Sequence, residues 1–449
     1  MTAHRRTMKS ELSATWRLAW PVVVTQLGVM CMGLVDAAMV GPLGADALAA
    51  VSIGGSLWFT AASLLLGVVM ALDPLVSQAW GAGERGEVGA LYWQGIWVAA
   101  STGLVLSVAF LDTTAVFRLL GQTEAVSELA GIYVRGRVGS VLPFLLFAVG
   151  RSLLNGAGVT RPVMFIAVAA NLFNYLADSA LIEGRFGAPA LGVQGAGLAT
   201  TATQMAMMLA LWAVLRTPRF AELDLRFRAP DPARMMAIVR LGLPIGGQLV
   251  AEFGVFAAAA TIAGQVSALS LAAHQIAMGL ASFNYMVPLG VSIAASIRVG
   301  QAVGAGDLDA ADRAGRLALG LGGGVMAILG MVLLITPEPL AALFSPEAEV
   351  IETAVDLLRI AAAFQVFDGV QCVAGGCLRG AGDTRAAFAA NVLAHWLIGL
   401  PLGWFFAMRL HMGVRGVWWG LVFSLGLASL LLAGRFLRGG WRELGRATA

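Results

Sequence analysis

The sequence predicts an all-α integral membrane protein with twelve transmembrane helices in two six-helix lobes. Three observations carry this: the composition, a series of long apolar spans, and an internal repeat. Of 449 residues, 59% are hydrophobic and 12% charged, and the mean hydropathy is +0.81. Soluble domains average about 25% charged residues. A soluble core cannot hide this much apolar surface, whereas a bilayer can.

The apolar spans lie near residues 14–40, 47–80, 91–112, 126–155, 162–184, 192–216, 238–264, 267–299, 314–336, 348–379, 386–409 and 413–438. Each reaches the roughly 20 residues a helix needs to cross. Lipid offers the backbone no hydrogen bonds, so the spans must be helices. The alternating strands of a membrane barrel are absent. The first span is too long for a signal peptide and contains Asp36, so it reads as a retained helix.

The repeat joins the spans into lobes. Arg17-Leu18-x-x-Pro21 returns as Arg240-Leu241-x-x-Pro244. Gln78-Ala79-x-Gly81-Ala82-Gly83 returns as Gln301-Ala302-x-Gly304-Ala305-Gly306, and Gly156-Ala157-Gly158-x-Thr160-Arg161 as Gly380-Ala381-Gly382-x-Thr384-Arg385. Six spans per half put both halves in the membrane in the same sense, a parallel repeat related by an axis along the membrane normal. The expected domains are a lobe over 1–216, a cytoplasmic linker over 217–237 carrying Pro218, Pro230 and Pro232, and a lobe over 238–449. The Gly-rich repeats suit close helix approach and tight turns. Pro21 and Pro244, early in spans 1 and 7, mark candidate hinges, because proline within a helix frees a carbonyl and kinks the rod.

Charge placement sets orientation. His4, Arg5, Arg6 and Lys9 precede span 1; Arg216, Arg219, Arg226, Arg228 and Arg234 fill the linker; Arg313, Arg316, Arg385, Arg435 and Arg438 fall on the same side. The opposite loops hold chiefly Arg118, Arg185, Arg409 and Arg415. The positive-inside rule then places both termini in the cytoplasm, in the inner membrane of a cell. The net charge of +3 is scattered and gives no reason to expect nucleic acid. No G-x-x-x-x-G-K-[ST] loop is present, so transport would draw on an ion gradient and not on a built-in ATPase. Cys31, Cys372 and Cys377 have no metal-ligand spacing and read as small buried hydrophobes. No cofactor is expected.

Acids deep in a span cost about 2.5–3.5 kcal/mol and are functional candidates. At about 1.5 Å per residue, Asp36 and Asp178 lie near one level in the outer leaflet, and Glu252 and Asp368 share a lower level in the second half. Asp73 falls near the cytoplasmic interface. Asn174 and Asp178 share a helix face at i, i+4, with Asn171 one turn earlier. Thr200 and Thr201 on span 6 can add hydroxyls. Gln248 precedes Glu252 by one turn, and Gln371 follows Asp368 by one. Oxygen clusters suit hard cations such as Na⁺, while desolvated paired carboxylates can carry H⁺. The residue types do not choose. Arg135 and Arg137, near the outer end of span 4, read as snorkelling. His274 and His395 are lone intramembrane histidines that read as packing residues.

These features together resemble the multidrug and toxic compound extrusion (MATE) family, in its NorM-like branch with some DinF-like features. The Gln-Ala-x-Gly-Ala-Gly repeats, Leu378-Arg379-Gly380-Ala381-Gly382-Asp383-Thr384 and the two six-span halves carry the resemblance. It implies cation-coupled efflux of small organic cations by alternating access, in a protein that is not an enzyme. Asp36 matches the family's acid in span 1. Glu252 and Asp368 match the acids of its second-lobe cation site, where Na⁺ would bind. Two departures stand out. Asp178 stands where NorM-like proteins often have Asn, and Phe364 where a coordinating Tyr is expected. Both favour the first lobe, with H⁺ carried by Asp36 and Asp178.

Three other readings are weaker. A lipid-linked oligosaccharide flippase of the wider superfamily would carry a basic central cavity, but the deep charges here are acidic. A membrane-embedded transferase needs a paired acidic metal motif or a loop histidine, and neither is found. A major-facilitator antiporter needs an Asp-Arg-x-Gly-Arg loop, missing from Gly81–Gly89. The expected partners are organic cations and lipid, with the protein a monomer.

Overall fold

The computed structural model describes residues 8–447. The basic His4, Arg5 and Arg6, and the Lys9 side chain, lie outside the described residues. The first half runs α1 (Met8–Val40), α2 (Ala45–Val69), α3 (Leu72–Gly81), α4 (Arg85–Ala109), α5 (Thr114–Leu119), α6 (Glu124–Arg137), α7 (Val141–Gly156), α8 (Arg161–Leu181) and α9 (Gly192–Leu215). The second runs α10 (Pro232–Val266), α11 (Ala268–Gly304), α12 (Leu308–Ile335), α13 (Pro337–Ala342), α14 (Ala348–Gly380), α15 (Thr384–Val392), α16 (Leu400–Trp404) and α17 (Val414–Leu437). No strand occurs among the described residues.

Among the described residues, eleven helical segments are long and apolar enough to cross a membrane. A further helix, α14, is 33 residues long. Glu349, Glu352, Asp356 and Arg359 lie in its N-terminal half. Three spans that read as single helices are interrupted. The second bends at Met70–Ala71, between α2 and α3. The fourth breaks at Val138–Ser140, a 3₁₀ turn between α6 and α7. The eleventh widens twice into π-helix, at Leu393–Gly399 and Phe405–Arg409. π-Turns of this kind tend to mark functional positions.

The Gly-rich repeats end helices four times in one way. Gly83, Gly158, Gly306 and Gly382 all have φ between +77° and +87°. Each sits just past a helix end, where its N–H and that of the next residue reach back to the last turn. Gly83 and Glu84 bond Trp80 and Ala79 carbonyls, and Gly382 and Asp383 bond those of Arg379 and Leu378. This is the Schellman cap, which needs a left-handed residue that glycine adopts without strain.

By packing, the chain divides into two compact units. The first is Val24–Gly246; the second combines the described residues up to Val23 with Gly247–Ala447. Both α1 and α10 therefore change allegiance part-way, two residues beyond Pro21 and Pro244 respectively. In the first unit, a Cβ on Gly67 of α2 would lie 2.2 Å from the Gly246 backbone of α10. In the second, a Cβ on Gly290 of α11 would lie 2.4 Å from Val23 Cγ2 and 3.1 Å from the Ala19 carbonyl of α1. The two crossings are copies at the repeat's own offset.

Within the first unit the 217–231 stretch is a strap on α4. Trp93 and Trp97 donate their indole N–H to the Leu225 and Arg228 carbonyls, and Gln94 bonds both Ala229 O (3.0 Å) and Asp231 N (2.8 Å). Arg234 pairs with Glu87 at 3.1 Å. Within the second unit the α1 end is tied to α11, where Arg298 pairs with Glu11 and donates to Thr15 Oγ1 at 2.6 Å. Its core gathers Phe364, Leu357, Leu358 and Trp418. Cys372 and Cys377 are buried as expected, but Cys31 is exposed.

Candidate functional site

The first unit brings Asp36 (α1), Asn174 and Asp178 (α8) and Thr200 (α9) into one buried cluster. Asp178 is fully buried and Asn174 nearly so. The Thr200 hydroxyl lies 3.3 Å from Asp36 Oδ2 and 3.0 Å from its own Ala196 carbonyl, so its one proton is divided. Asp178 lies within hydrogen-bonding reach of Asp36. Two ionised carboxylates cannot make that bond; one proton between them can. With both ionised, Asp36 Oδ1, both oxygens of Asp178 and Asn174 Oδ1 are buried without a donor among the described residues. Buried acceptors left in that state are costly.

Two neighbours of the cluster went unseen in the sequence. Tyr133 is buried, and Asp36, Asp178 and Arg137 all act on it electrostatically. Arg137 donates to the Tyr133 hydroxyl at 3.1 Å and lies 4.0 Å over the Trp58 ring. The snorkelling reading of Arg137 is therefore wrong: an aromatic face and a phenol hold it against the protein. Arg137 is the last residue of α6, just before the 3₁₀ turn that leads to α7. Two expected ligands are engaged elsewhere. Thr201 donates to Gly136 O at 2.9 Å, and Asn171 to Ala167 O on its own helix. Asp73 begins α3, within electrostatic reach of Arg151.

The second unit assembles Gln248 and Glu252 (α10) with Asp368 and Gln371 (α14). Glu252 Oε1 accepts from Gln371 Nε2 at 2.6 Å and from Gln248 Nε2 at 3.4 Å. Asp368, 5% exposed, acts electrostatically on this same acid. Gln371 thus serves Glu252 across the helix pair, although it lies one turn from Asp368. Phe364 packs against Trp418 and Phe256 and offers no oxygen. A tyrosine does approach, from another helix: Tyr285 of α11 lies within electrostatic reach of Glu252 and Asp368, and its hydroxyl is 3.5 Å from Cys372 Sγ. No spacing rule pointed to it, because its partners are about 30 and 80 residues away in sequence. His274 accepts from Trp418 Nε1 at 3.2 Å, a packing role.

The two clusters differ in what faces the acid. On Glu252 Oε1 the donors are amide N–H, which suit a carboxylate, while Asp368 and Tyr285 lie within electrostatic reach. Around Asp36 and Asp178 the groups are oxygens, which suit a proton or a small cation. No group of three or more His, Cys, Asp or Glu able to hold a metal ion occurs among the described residues.

The comparisons with known proteins give the family. The MatE family model matches residues 21–179 and 244–405, one match per half. A probable multidrug resistance protein NorM of Rhodopseudomonas palustris is 39% identical over 441 residues, covering 96% of this chain and 92% of that protein. A second, from Mesorhizobium japonicum, is 37% identical over 446 residues, covering 96% and 94%. Among solved structures, the eukaryotic MATE transporter AtDTX14 matches with a TM-score of 0.90 at 20% identity, covering 98% of each chain. The outward-facing conformation of a multidrug resistance MATE family transporter matches at 0.87 and 20% identity, covering 96% of this chain and 97% of that one. The resemblance read from the repeats is thereby established, and the chain belongs to the MATE family of secondary active antiporters, in its NorM-like branch, and is not an enzyme.

Proposed function

We propose that this antiporter exports small organic cations from the cytoplasm in exchange for protons. Asp36 and Asp178 share the coupling proton, and Glu252 with Asp368 receives the cargo. The observation that carries this is the Asp178–Asp36 approach, with three of the pair's four oxygens buried and donorless unless a proton is present. Glu252 is half-buried and both its amide donors go to Oε1, which leaves Oε2 clear of them for a cationic ligand. Lone cations lacking N–H donors suit such a carboxylate by charge alone.

The wider arrangement proposed is twelve transmembrane helices in two lobes, 1–216 and 238–449, joined by the 217–237 linker. Both termini are cytoplasmic, in a monomer of the inner membrane. Pro21 and Pro244 act as hinges, supported by the change of packing allegiance two residues beyond each. One proton moving down a 100 mV potential yields about 2.3 kcal/mol. A monovalent cation leaving the cell opposes that potential, so one-for-one exchange is electroneutral and driven by ΔpH.

A second reading is Na⁺ in the first cluster, favoured by the free Asn174 Oδ1 beside the carboxylates. Ethidium efflux from proteoliposomes, driven in turn by ΔpH and by a Na⁺ gradient, separates the two. Efflux under ΔpH in Na⁺-free buffer is expected. Efflux only under the Na⁺ gradient overturns the proton reading.

A further inference from the structure

His395 sits in the π-helical stretch Leu393–Gly399 and is 1% exposed. The proton scheme does not use it, yet both its ring nitrogens are bonded. Nε2 lies 3.1 Å from Asn391 Oδ1, and Nδ1 lies 2.5 Å from Ser424 Oγ. Asn391 Nδ2 donates to Ala387 O at 2.9 Å, which fixes its oxygen toward the histidine. That same oxygen accepts from Gln371 Nε2 at 2.8 Å, and Gln371 Nε2 reaches on to Glu252 Oε1. The ring is thus linked to the carboxylate through two amides.

Amides hand on no proton here, but they hand on polarity. Asn391 Oδ1 has two lone pairs, taken by His395 and Gln371. Turned over, Asn391 would set its NH₂ against both donors. Gln371 would then have to turn as well, setting its own oxygen against Glu252. A donor at His395 Nε2 forbids the first turn and so prevents the second. Ser424 decides whether that donor exists. Its single proton, given to Nδ1, leaves the ring's own hydrogen on Nε2. Given instead to Ala394 O, at 3.0 Å, that proton would leave the neutral ring's hydrogen on Nδ1 and set the Nε2 lone pair against Asn391 Oδ1, a clash that the Asn391 anchor on Ala387 O disfavours.

We infer that His395, held with a hydrogen on Nε2 by Ser424, is a positioning residue of the Glu252 site: it locks Asn391, and through it aims the Gln371 amide at the cargo-binding carboxylate. This rests on the reading of Glu252 as a cargo site.

The test is equilibrium binding of ethidium to the purified full-length protein, with saturating ΔpH-driven flux measured beside it. His395→Phe keeps a ring and removes both nitrogens, while His395→Gln keeps an N–H near the Nε2 position. H395F is expected to weaken ethidium binding about tenfold, the scale of one hydrogen bond to a charged group, with saturating flux retained. H395Q is expected to restore most of the affinity. Ser424→Ala frees the tautomer and is expected to weaken binding by about threefold, the scale of one modest hydrogen bond, which keeps the test open if H395F does not fold. Wild-type affinity in folded H395F or in S424A, or an H395Q as weak as H395F, makes His395 a packing residue and overturns the inference. Glu252→Gln is measured in parallel. If E252Q loses affinity while H395F does not, only this inference fails; if E252Q binds as wild type, the cargo reading fails and takes this inference with it.

Discussion

Replacing Asp178 with asparagine removes one acid while keeping volume and shape. In the native cluster, ionising both carboxylates would set two charges about 4 Å apart, which costs on the order of 4 kcal/mol at an effective dielectric of about 20. Sharing one proton avoids that cost and gives Asp178 the hydrogen bond its oxygens otherwise lack. An asparagine amide can instead donate to Asp36, which satisfies the aspartate with no proton at all. The lost coupling corresponds to roughly a thousandfold in proton occupancy at fixed pH, taking about 1.36 kcal/mol per tenfold. Asp178→Asn should therefore bind ethidium as the wild type does but exchange it poorly under ΔpH. A loss of at least about tenfold in flux is expected. The assay is ethidium efflux from proteoliposomes with a pH-sensitive dye reporting proton counterflow. Wild-type ΔpH-driven exchange, with the same proton counterflow, would refute the shared-proton argument.

Three further outcomes follow from packing and polar contacts. Gly67→Ala forces a Cβ to within 2.2 Å of the Gly246 backbone and should destabilise the protein by about 1–3 kcal/mol as overpacking does; Gly279→Ala, with nothing within 4 Å, is the control, and equal melting temperatures would argue against the close crossing. Arg298→Ala strips Glu11 of its ion pair at side-chain exposures of 12% and 15%, and should cost about 2 kcal/mol, between exposed and buried pairs. A double-mutant cycle with Glu11→Gln should recover part of that loss, and strict additivity would show that the pair is not coupled. Gln94→Ala leaves Ala229 O and Asp231 N without their side-chain partner, so trypsin should cut at Arg226 and Arg228 faster, with an unchanged rate showing that the indole contacts alone hold the strap.

Periodicity, composition and the repeat exposed most of the architecture. Apolar length alone located the long helices, and the repeated Gly-x-Gly-like ends located four Schellman caps. Interruptions were hidden because a span such as 126–155 stays apolar through its break: the 3₁₀ turn at Val138–Ser140 differs in dihedral angles, not in hydropathy. The four deep acids were visible because charge in an apolar run is conspicuous. Their surroundings were not. Arg137 looked like an interfacial residue, since depth along a helix says nothing about which way the side chain turns. Tyr285 and Asn391 reach the second cluster from helices whose sequence offers no pattern linking them to Glu252. The swapped halves of α1 and α10 were likewise beyond reach, because a repeat reports likeness between segments and not which neighbour each one packs against.

What the duplication kept and what it let diverge point to a division of labour. The scaffold is held in common: the same glycine caps end the same helices, and Gly67 and Gly290 make matching close crossings. The polar chemistry is not shared. In the first unit, Asp36 has one divided hydroxyl for a donor and faces a second carboxylate. In the second, Glu252 also has an acid nearby, Asp368, but it carries two amide donors backed by Asn391, His395 and Ser424. A carboxylate supplied with N–H groups is stabilised as an anion and holds a lasting charge that a cation can meet. A carboxylate deprived of donors and set beside another is stabilised only by acquiring something positive, and loses stability when it departs. A coupled exchanger needs one group of each kind, because the driving ion must come and go while the cargo site keeps its charge. On that argument, adding an amide donor to the first cluster, as Asp178→Asn does, should uncouple exchange, while removing one from the second, as Gln371→Leu does, should weaken ethidium binding and leave ΔpH-driven flux at saturating ethidium intact. The opposite pattern in purified, folded variants would assign the roles the other way round.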